Sequence, residues 1–445
     1  MRENLYPLFK LALPLALTGL IQSSLNFFEN IFLARVSEEV LAAGGLVGWL
    51  FATLIVIMFG VFSAVNVLVA HKYGEKKYDQ ISLILRDGLR LALIILIPTF
   101  LLFWYISPVL LLFGQSPKLV HLAELYLHAL AWGLLPKFIL IILFEFVIGL
   151  GHSRFIMTVT LISIPLYIFL SYVLIFGKFG FPELGIAGAG WGMTISDWII
   201  SILLVIYLFY SKTYSAYLFS VFTREKPSYL SEIIQLGLPM GVMYCIEVGY
   251  FLAMTLMMGT ISISALASNQ ITMQYLGPLM GVIFCFAQAI TVQMGHQLGA
   301  KQIAMAKETA HAGIFLSVIF MLIIAVFYWT MPGVLISVDF DIHNPQYAQT
   351  VKLTTQLLYI AAVFQIIECV RISLFGALRA LKDTKYSLLT SIVGFWVIAL
   401  PIGYLLSEYF NLPATGLWYG LLFGSVMNLY LLYKRFKRKI KSYSY

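Results

Sequence analysis

The sequence predicts an all-α integral membrane protein with twelve transmembrane helices in two six-helix lobes, related by a pseudo-twofold axis along the membrane normal. Three observations support this prediction: an apolar composition, about twelve long apolar stretches and an internal repeat. Of the 445 residues, 61% are hydrophobic and only 11% are charged, and the mean hydropathy is +0.92. Soluble proteins carry about 25% charged residues. The composition therefore indicates a chain that lies in lipid.

A membrane-spanning helix needs about 20 mostly apolar residues. Turn signals and charged residues divide the chain into segments of at least this length. In order along the chain, the predicted spans are 8–34, 40–70, 82–113, 118–150, 154–176, 187–210, 229–259, 263–295, 304–337, 346–380, 385–407 and 414–434. Several are longer than the minimum, so we expect them to tilt or to extend beyond the bilayer.

The distribution of basic residues predicts the orientation. Cytoplasmic loops of membrane proteins are enriched in Lys and Arg. If the N-terminus is cytoplasmic, most of the 28 Lys and Arg residues fall inside, and the outside holds only Arg35, Lys118, Lys178 and Lys352. We therefore expect a multi-pass protein of the inner or plasma membrane with both termini in the cytoplasm. The net charge of +8 then reflects contact with anionic lipids at the cytoplasmic face rather than with nucleic acid.

The two halves of the chain resemble each other at an offset of 225 residues. Each half contains six predicted spans, an even number, so both halves enter the membrane from the same side. The predicted domains are an N-lobe at 1–210, a cytoplasmic linker at 211–228, a C-lobe at 229–434 and a basic cytoplasmic tail at 435–445. The matching residues include Leu11, Leu13 and Pro14 with Leu236, Leu238 and Pro239, Phe59, Ala64 and Val67 with Phe284, Ala289 and Val292, and His71 and Gly74 with His296 and Gly299.

Further short motifs accompany the repeat. They are Gly149-Leu150-Gly151-His152-Ser153-Arg154, its counterpart Ala380-Leu381-Lys382-Asp383-Thr384-Lys385, and the glycine-rich stretch Gly185-Ile186-Ala187-Gly188-Ala189-Gly190-Trp191-Gly192. Together with the paired Leu-x-Leu-Pro motifs, their order and spacing resemble the multidrug and toxic compound extrusion (MATE) family over nearly the whole chain. The resemblance implies an exporter that exchanges Na⁺ or H⁺ for organic cations and drugs, without a cofactor and as a monomer.

Five carboxylates lie within predicted spans: Glu29, Glu145, Asp197, Glu247 and Glu368. A charged group in the hydrocarbon region costs a few kcal/mol unless it is paired, protonated or facing a cavity. The resemblance implies that Glu247 and Glu368 form a C-lobe cation site, which could hold Na⁺, and that Glu29 is the first-span acid of the N-lobe. Glu29 lies near the outer end of its span, so reaching water is the alternative. Asp197 has no counterpart in the resemblance, but it is also a candidate coupling residue: its predicted partner is Glu29, with which it would form an N-lobe proton site, or Lys137.

Basic and amide side chains near these acids are predicted to support them. Arg371 follows Glu368 by three residues, on the same helix face, and can pair with it. A permanent Arg371–Glu368 bridge would reduce the need for a bound cation, whereas a bridge that opens would be part of the mechanism. Lys137 and Glu145 are two turns apart on the fourth span, where structural roles are the alternative. Asn26 lies on the same span as Glu29.

These features predict a secondary active multidrug exporter that works by rocking-type alternating access. The alternative within the same architecture is a flippase for a lipid-linked oligosaccharide. A flippase needs basic residues in the cleft to hold a pyrophosphate, and the spans offer only Lys137 and Arg371. We do not expect an enzyme, because the sequence contains no HExxH, GxSxG or aspartate-rich metal motif. The sequence does not distinguish Na⁺ from H⁺ as the coupling ion.

Overall fold

In the computed structural model, all regular elements of the described residues are helical. The structure describes the backbone of residues 2–218, 227–339, 341–342 and 344–443, and within these ranges not the side chains of 2–5, 23, 24 and 26. The predicted supporting side chain of Asn26 therefore lies outside the described residues. The same holds for residues 219–226 of the predicted linker.

The helices of the first half follow one another with short connections. They are α1 (Arg2–Ala34), α2 (Glu38–Phe62), α3 (Ala64–Gly74), α4 (Tyr78–Trp104), α5 (Ser107–Leu112), α6 (Pro117–Ala131), α7 (Leu134–Gly149), α8 (Ser153–Phe176) and α9 (Ile186–Tyr210). A short 3₁₀ turn at Ser215–Tyr217 follows α9.

The second half repeats this pattern. Its helices are α10 (Leu230–Ile261), α11 (Ile263–Gly299), α12 (Ile303–Thr330), α13 (Pro332–Ile336), α14 (Ala348–Ala380), α15 (Thr384–Ser391), α16 (Leu400–Tyr409) and α17 (Pro413–Ser442). The residues between α15 and α16, Ile392–Ala399, form a π-helical segment, so that these helices make one continuous span.

The helix count agrees with the predicted membrane fold. Eleven helical segments of the described residues are long and apolar enough to cross a membrane, and the bent pair α6–α7 brings the number to twelve. Large apolar side chains lie on helix surfaces, such as Ile97 (65% exposed) and Leu256 (64% exposed), as expected for helices that face lipid. The protein is a multi-pass membrane protein.

The predicted fourth span, 118–150, is broken where the sequence suggested one helix. α6 and α7 meet at an angle of 52°. Side chains of α9 compensate the carbonyl groups that the break releases: the Thr194 hydroxyl donates to the Ala129 carbonyl at 2.7 Å, and the Trp198 indole donates to the Trp132 carbonyl at 3.2 Å. Buried backbone groups in lipid require such partners. The break is therefore a built feature that starts α7 just before Lys137.

Glycine residues allow two pairs of helices to pack closely. A Cβ at Gly188 or Gly192 on α9 would overlap the backbone of α8, and a Cβ at Gly420 or Gly424 on α17 would overlap the backbone of the α15–α16 span. Small residues spaced by four are typical of such contacts in membranes. The glycine-rich motif of the first half thus fixes α9 against α8. Gly420 and Gly424 likewise fix α17 against the α15–α16 span.

The chain divides into two compact units. The first-half unit is Leu17–Leu238, and the second-half unit is Met1–Ala16 together with Pro239–Tyr445. The boundaries fall inside α1 and α10 rather than in the connections between helices. The predicted lobe boundaries at 1–210, 211–228 and 229–434 concern the repeat and stay a prediction.

Candidate functional site

Three ionisable side chains from two helices meet inside the second-half unit. Arg371 of α14 donates to both carboxylate oxygens of Glu247 on α10, from Nη1 to Oε1 at 2.9 Å and from Nη2 to Oε2 at 3.2 Å. Its Nη2 also donates to Oε1 of Glu368, one turn away on α14, at 2.6 Å. Glu247, Glu368 and Arg371 are all at least nine-tenths buried. We call these three residues the C-site. Its formal charge is −1 when both acids are ionised.

The π-helical segment completes the C-site from a third direction. Ser391, directly before that segment, donates its hydroxyl to Oε1 of Glu247 at 2.9 Å. The Phe395 ring lies 5.2 Å from the Arg371 guanidinium, within range of a cation–π contact. Trp396 donates its indole N–H to the Ile246 carbonyl at 3.0 Å and so holds α10 in place. Single π-helical turns frequently occur at functional sites, and here the segment and the residue before it contact Glu247, Arg371 and the backbone of α10.

One carboxylate oxygen of the C-site has no partner. Arg371 occupies both oxygens of Glu247 and Oε1 of Glu368, whereas Oε2 of Glu368 is buried without a hydrogen bond. The Ser425 hydroxyl of α17 lies beside Glu368 without a regular hydrogen bond to it. An unpartnered buried carboxylate oxygen is costly unless it binds a proton or a cation. The C-site therefore has one defined position for a positive charge.

The first-half unit contains a second ion pair at the start of α7. The Lys137 ammonium donates to Oδ1 of Asp197 on α9 at 2.9 Å. Of the two partners that the sequence left open for Asp197, the structure thus brings it to Lys137. The side chains are 24% and 13% exposed, respectively, so the pair is largely removed from solvent.

Breaking this ion pair is expected to destabilise the protein, because it leaves a charge without a partner. Loss of one partner of a fully buried pair costs about 3–5 kcal/mol, and this partly exposed pair should cost less. Lys137→Met should lower the melting temperature in detergent, and Lys137→Met/Asp197→Leu should restore most of it, because both charges are then gone. Export by the stable double variant decides the role of Asp197: normal export indicates a structural pair, and lost export a functional acid. A double variant as unstable as Lys137→Met would contradict the pairing argument.

Glu29 has a different environment from Asp197. The Tyr167 hydroxyl of α8 donates to Oε2 of Glu29 at 2.8 Å, and the Glu29 side chain is buried. Within the described residues no hydrogen bond joins Glu29 to Asp197. Tyr167 lies within electrostatic range of both acids. The first-half unit thus holds Glu29 beside a tyrosine and Asp197 beside a lysine, rather than as a carboxylate pair.

The remaining predicted acid, Glu145, is fully buried on α7. No group of three or more His, Cys, Asp or Glu side chains with the geometry of a metal site occurs among the described residues. Any Na⁺ at the C-site would therefore depend on oxygen atoms other than carboxylates for most of its ligands. Buried amides and hydroxyls without hydrogen-bond partners lie on α14, which carries Glu368, and on α17: Gln365, Ser425 and Asn428.

The second-half unit also contains a cavity of about 900 Å³ at the ends of its helices where α10 passes into α11 and α17 begins. Gln349, Gln356, Tyr359 and Tyr419 contribute polar and aromatic groups to its wall. Among the described residues that line it, Lys352 is the one charged residue and none is an acid. The cavity is large enough for a drug-sized molecule but supplies no counter-charge for an organic cation.

Two supporting side chains could not be assigned from the sequence. Ser391 and Tyr167 contact Glu247 and Glu29 from helices far away in the chain. Hydroxyl-bearing residues are frequent in the spans, and nothing in their local spacing distinguishes these two.

Comparison with known proteins identifies the family to which this chain belongs. The family model MatE matches residues 14–173 and again 239–405, so each match begins at one of the repeated prolines. The chain belongs to the MATE family. Members of this family are membrane transporters, which agrees with the multi-pass fold and with buried charges inside the spans.

Curated relatives are similar over almost their full length. A protein described as a probable multidrug resistance protein NorM from Burkholderia mallei is 32% identical over 431 residues, covering 97% of this chain and 92% of the relative. A protein with the same description from Mesorhizobium japonicum is 30% identical over 441 residues, covering 98% of this chain and 94% of the relative.

Solved structures show the same fold at lower identity. A MOP superfamily transporter from Pyrococcus furiosus, described as having a binding pocket of reverse polarity, matches with a TM-score of 0.89 at 17% identity over 99% of this chain and 97% of its own. The eukaryotic MATE transporter AtDTX14 matches with a TM-score of 0.85 at 18% identity over 99% of this chain and 98% of its own. These matches support the predicted membrane fold.

Proposed function

We propose that this chain is a secondary active multidrug exporter that exchanges a cation for organic cations or other drugs. The names of the relatives, which describe multidrug resistance proteins, support the substrate class. The observation that carries the coupling mechanism is the C-site, in which two carboxylates share one guanidinium inside the membrane fold. No cofactor takes part in the proposal.

The C-site can change its charge by binding one cation. With both acids ionised, the cluster carries −1, and a positive charge on Glu368 makes it neutral. We propose that the coupling ion binds at Oε2 of Glu368, the oxygen without a partner. A proton fits this position best, because a single open oxygen suffices for a proton. Na⁺ requires several oxygen ligands, for which the Ser425 hydroxyl beside Glu368 is one candidate.

Charge neutralisation links cation binding to drug release. The charged C-site favours helix arrangements that give it access to water, because burying a net charge costs free energy. The neutral C-site has no such cost and tolerates arrangements that exclude water. Binding on one side of the membrane then shifts the protein towards the conformation open to the other side. We propose alternating access by movement of the two halves, with Glu29, whose carboxylate accepts from Tyr167, as a second titratable acid. The membrane potential contributes about 2.3 kcal/mol per charge per 100 mV.

The flippase alternative has less support. The two basic residues in the middle of the spans, Lys137 and Arg371, are both bound to acids of their own unit. Neither has a charge left over for a pyrophosphate. The relatives are described as multidrug resistance proteins, which also favours drug export.

Transport in proteoliposomes tests the proposal. Purified protein should export an organic cation dye when a pH gradient is imposed without Na⁺, and a Na⁺ gradient at constant pH should drive little export. Vesicles without protein are the control. Export driven only by a Na⁺ gradient would show that the coupling ion at Glu368 is Na⁺ and not a proton. Absence of dye transport under either gradient, with protein that is folded and inserted, would contradict the proposed function.

We further propose that both termini are cytoplasmic and that the basic end of α17 faces anionic lipids. Lys434 and Lys437 lie over the rings of Tyr430 and Tyr433 at 6.0 and 4.7 Å. Such pairs of aromatic and basic side chains are typical of the membrane–water interface.

A further inference from the structure

The first turns of α1 belong to the second-half unit, although the rest of α1 belongs to the first-half unit. The first turns of α10 belong to the first-half unit, although the rest of α10 belongs to the second-half unit. Residues up to Ala16 pack with the second-half unit, and residues up to Leu238 pack with the first-half unit. We call 6–16 and 229–238 the crossed segments. Both crossings lie within three residues of a proline inside the helix, Pro14 or Pro239. Proline removes a hydrogen bond of the helix and favours a bend there. The chain therefore passes from one unit to the other at two equivalent positions, each close to a helix proline.

Apolar packing of the crossed segments follows the repeat. Leu8, fully buried, packs in the second-half unit beside Ile290 and Gly313. At the offset of 225 residues, Ile233 corresponds to Leu8 and is also fully buried. In the first-half unit, a Cβ at Gly237 would overlap the Val61 carbonyl oxygen, so this segment is closely packed as well. Both crossed segments thus have an apolar contact surface in the unit that they join.

The second crossed segment also has a charged anchor. Asp87 of α4 is completely buried and accepts hydrogen bonds from Tyr229, the first residue of the second crossed segment, and from Ser228 directly before it. The Tyr229 backbone N–H donates to Oδ2 of Asp87 at 2.7 Å, and the Ser228 hydroxyl donates to the same oxygen at 3.0 Å. The residue that corresponds to Asp87 in the second half is Ala312. The 6–16 segment therefore has no equivalent of this anchor at that position.

The anchor is held rigidly from the side of α4. Arg86 Nε and Arg90 Nη1 donate to Oδ1 of Asp87 at 3.0 and 2.9 Å, and Arg86 is itself 4% exposed. The Tyr229 hydroxyl adds a bond to Gln80 on α4 at 2.7 Å. Hydrogen bonds to ionised groups are stronger than neutral ones. The start of α10 is thus attached to α4 more firmly than apolar packing alone would achieve.

We infer that Asp87 is a positioning residue for transport: it fixes the start of α10 to the first-half unit, so that α10 bends at Pro239 while its later part carries Glu247. The anchor then transmits movement of the first-half unit to the helix that supplies one acid of the C-site. Asp87 contacts neither drug nor coupling ion in this role. The inference rests on the proposed export function, but the anchor itself can be tested separately.

The decisive variant removes the two bonds to Asp87 and leaves the Arg86–Asp87–Arg90 cluster intact. Ser228→Ala/Tyr229→Pro removes both, because proline has no N–H and is tolerated just before a helix. It also removes the buried Tyr229 ring and its bond to Gln80, so Ser228→Ala alone, which keeps them, should change export and exchange in the same direction by less. Hydrogen exchange of residues 230–238 should rise at least about tenfold, as expected for losing charge-assisted bonds. The maximal export rate should fall by a similar factor, while the dye affinity of the purified protein stays within about twofold.

Two variants serve as matched controls. Asp383→Asn removes a buried acid that pairs with Arg435 at 2.7 Å in the second-half unit, outside the crossed segments. Tyr229→Phe keeps the backbone bond to Asp87 and removes only the bond to Gln80. Both should exchange and export much more like the wild type than the double variant does.

Several results would overturn the inference. Unchanged hydrogen exchange at 230–238 in the double variant would show that Asp87 does not anchor the segment. A loss of export equal to that of Asp383→Asn, or a loss of dye affinity instead of rate, would assign Asp87 a general structural role. If the wild type exports no dye, the proposed function fails, and the exchange measurement still decides whether the anchor exists.

Discussion

Replacing Glu368 by Gln is expected to reduce gradient-driven drug export to the level of vesicles without protein. Gln keeps an oxygen that can accept from Arg371 but puts an amide nitrogen where Oε2 of Glu368 has no partner. The C-site is then permanently neutral, and no cation binds or leaves it during the cycle. Glu247→Gln should have the same effect, because it also removes the net charge of −1. Export of a cationic dye from proteoliposomes under a pH gradient measures both losses.

The control for this experiment is Glu408→Gln, which makes the same chemical change at an exposed position of α16. It should export normally. Correct folding of the C-site variants is checked by gel filtration and by the melting temperature in detergent. A folded Glu368→Gln variant that exports at the wild-type rate would exclude Glu368 as the coupling position.

Replacing Arg371 by Gln is expected to move the pH profile of export upward by about one to three pH units. A positive charge within about 4–6 Å lets an acid ionise at a pH about one to three units lower. Arg371 lies within hydrogen-bond distance of both acids. Without the guanidinium, two buried carboxylates face each other and one of them keeps a proton to higher pH. Initial export rates measured across pH at a constant pH difference test this shift.

The matched control is Arg435→Gln, which removes a guanidinium from Asp383 near the end of α17. Its pH profile should remain that of the wild type. Arg371→Lys keeps the charge but cannot donate to three oxygens with the same geometry, so we expect an intermediate profile. An unchanged profile in Arg371→Gln would show that Arg371 does not control the titration of the C-site.

The sequence predicted the membrane fold and the helices that carry the C-site because these depend on local patterns. Apolar length identifies spans, and the three-residue spacing of Glu368 and Arg371 places them on one helix face. The contact of Arg371 with Glu247 joins residues 124 positions apart and depends on how two helices pack. These helices are buried on several faces, so hydrophobic periodicity does not indicate which side meets which neighbour.

Irregular backbone was also not predictable from apolar length. The break before α7 and the π-helical segment at Ile392–Ala399 both lie within continuous apolar runs. Their stability comes from side chains of other helices, such as Thr194 and Trp396. Asp87 had a local signal that the prediction did not use: an acid with Arg at the preceding position and again three residues later.

The most direct test of the C-site is the release of protons on drug binding. Purified wild-type protein in weakly buffered, Na⁺-free detergent solution should release about one proton for each dye molecule bound, since the two compete for the same charge state. The Glu368→Gln variant should bind dye more weakly, and at saturating dye it should release no proton. Glu29→Gln provides the comparison for the first-half unit. Unchanged proton release by Glu368→Gln, together with its loss in Glu29→Gln, would contradict the assignment of coupling to the C-site.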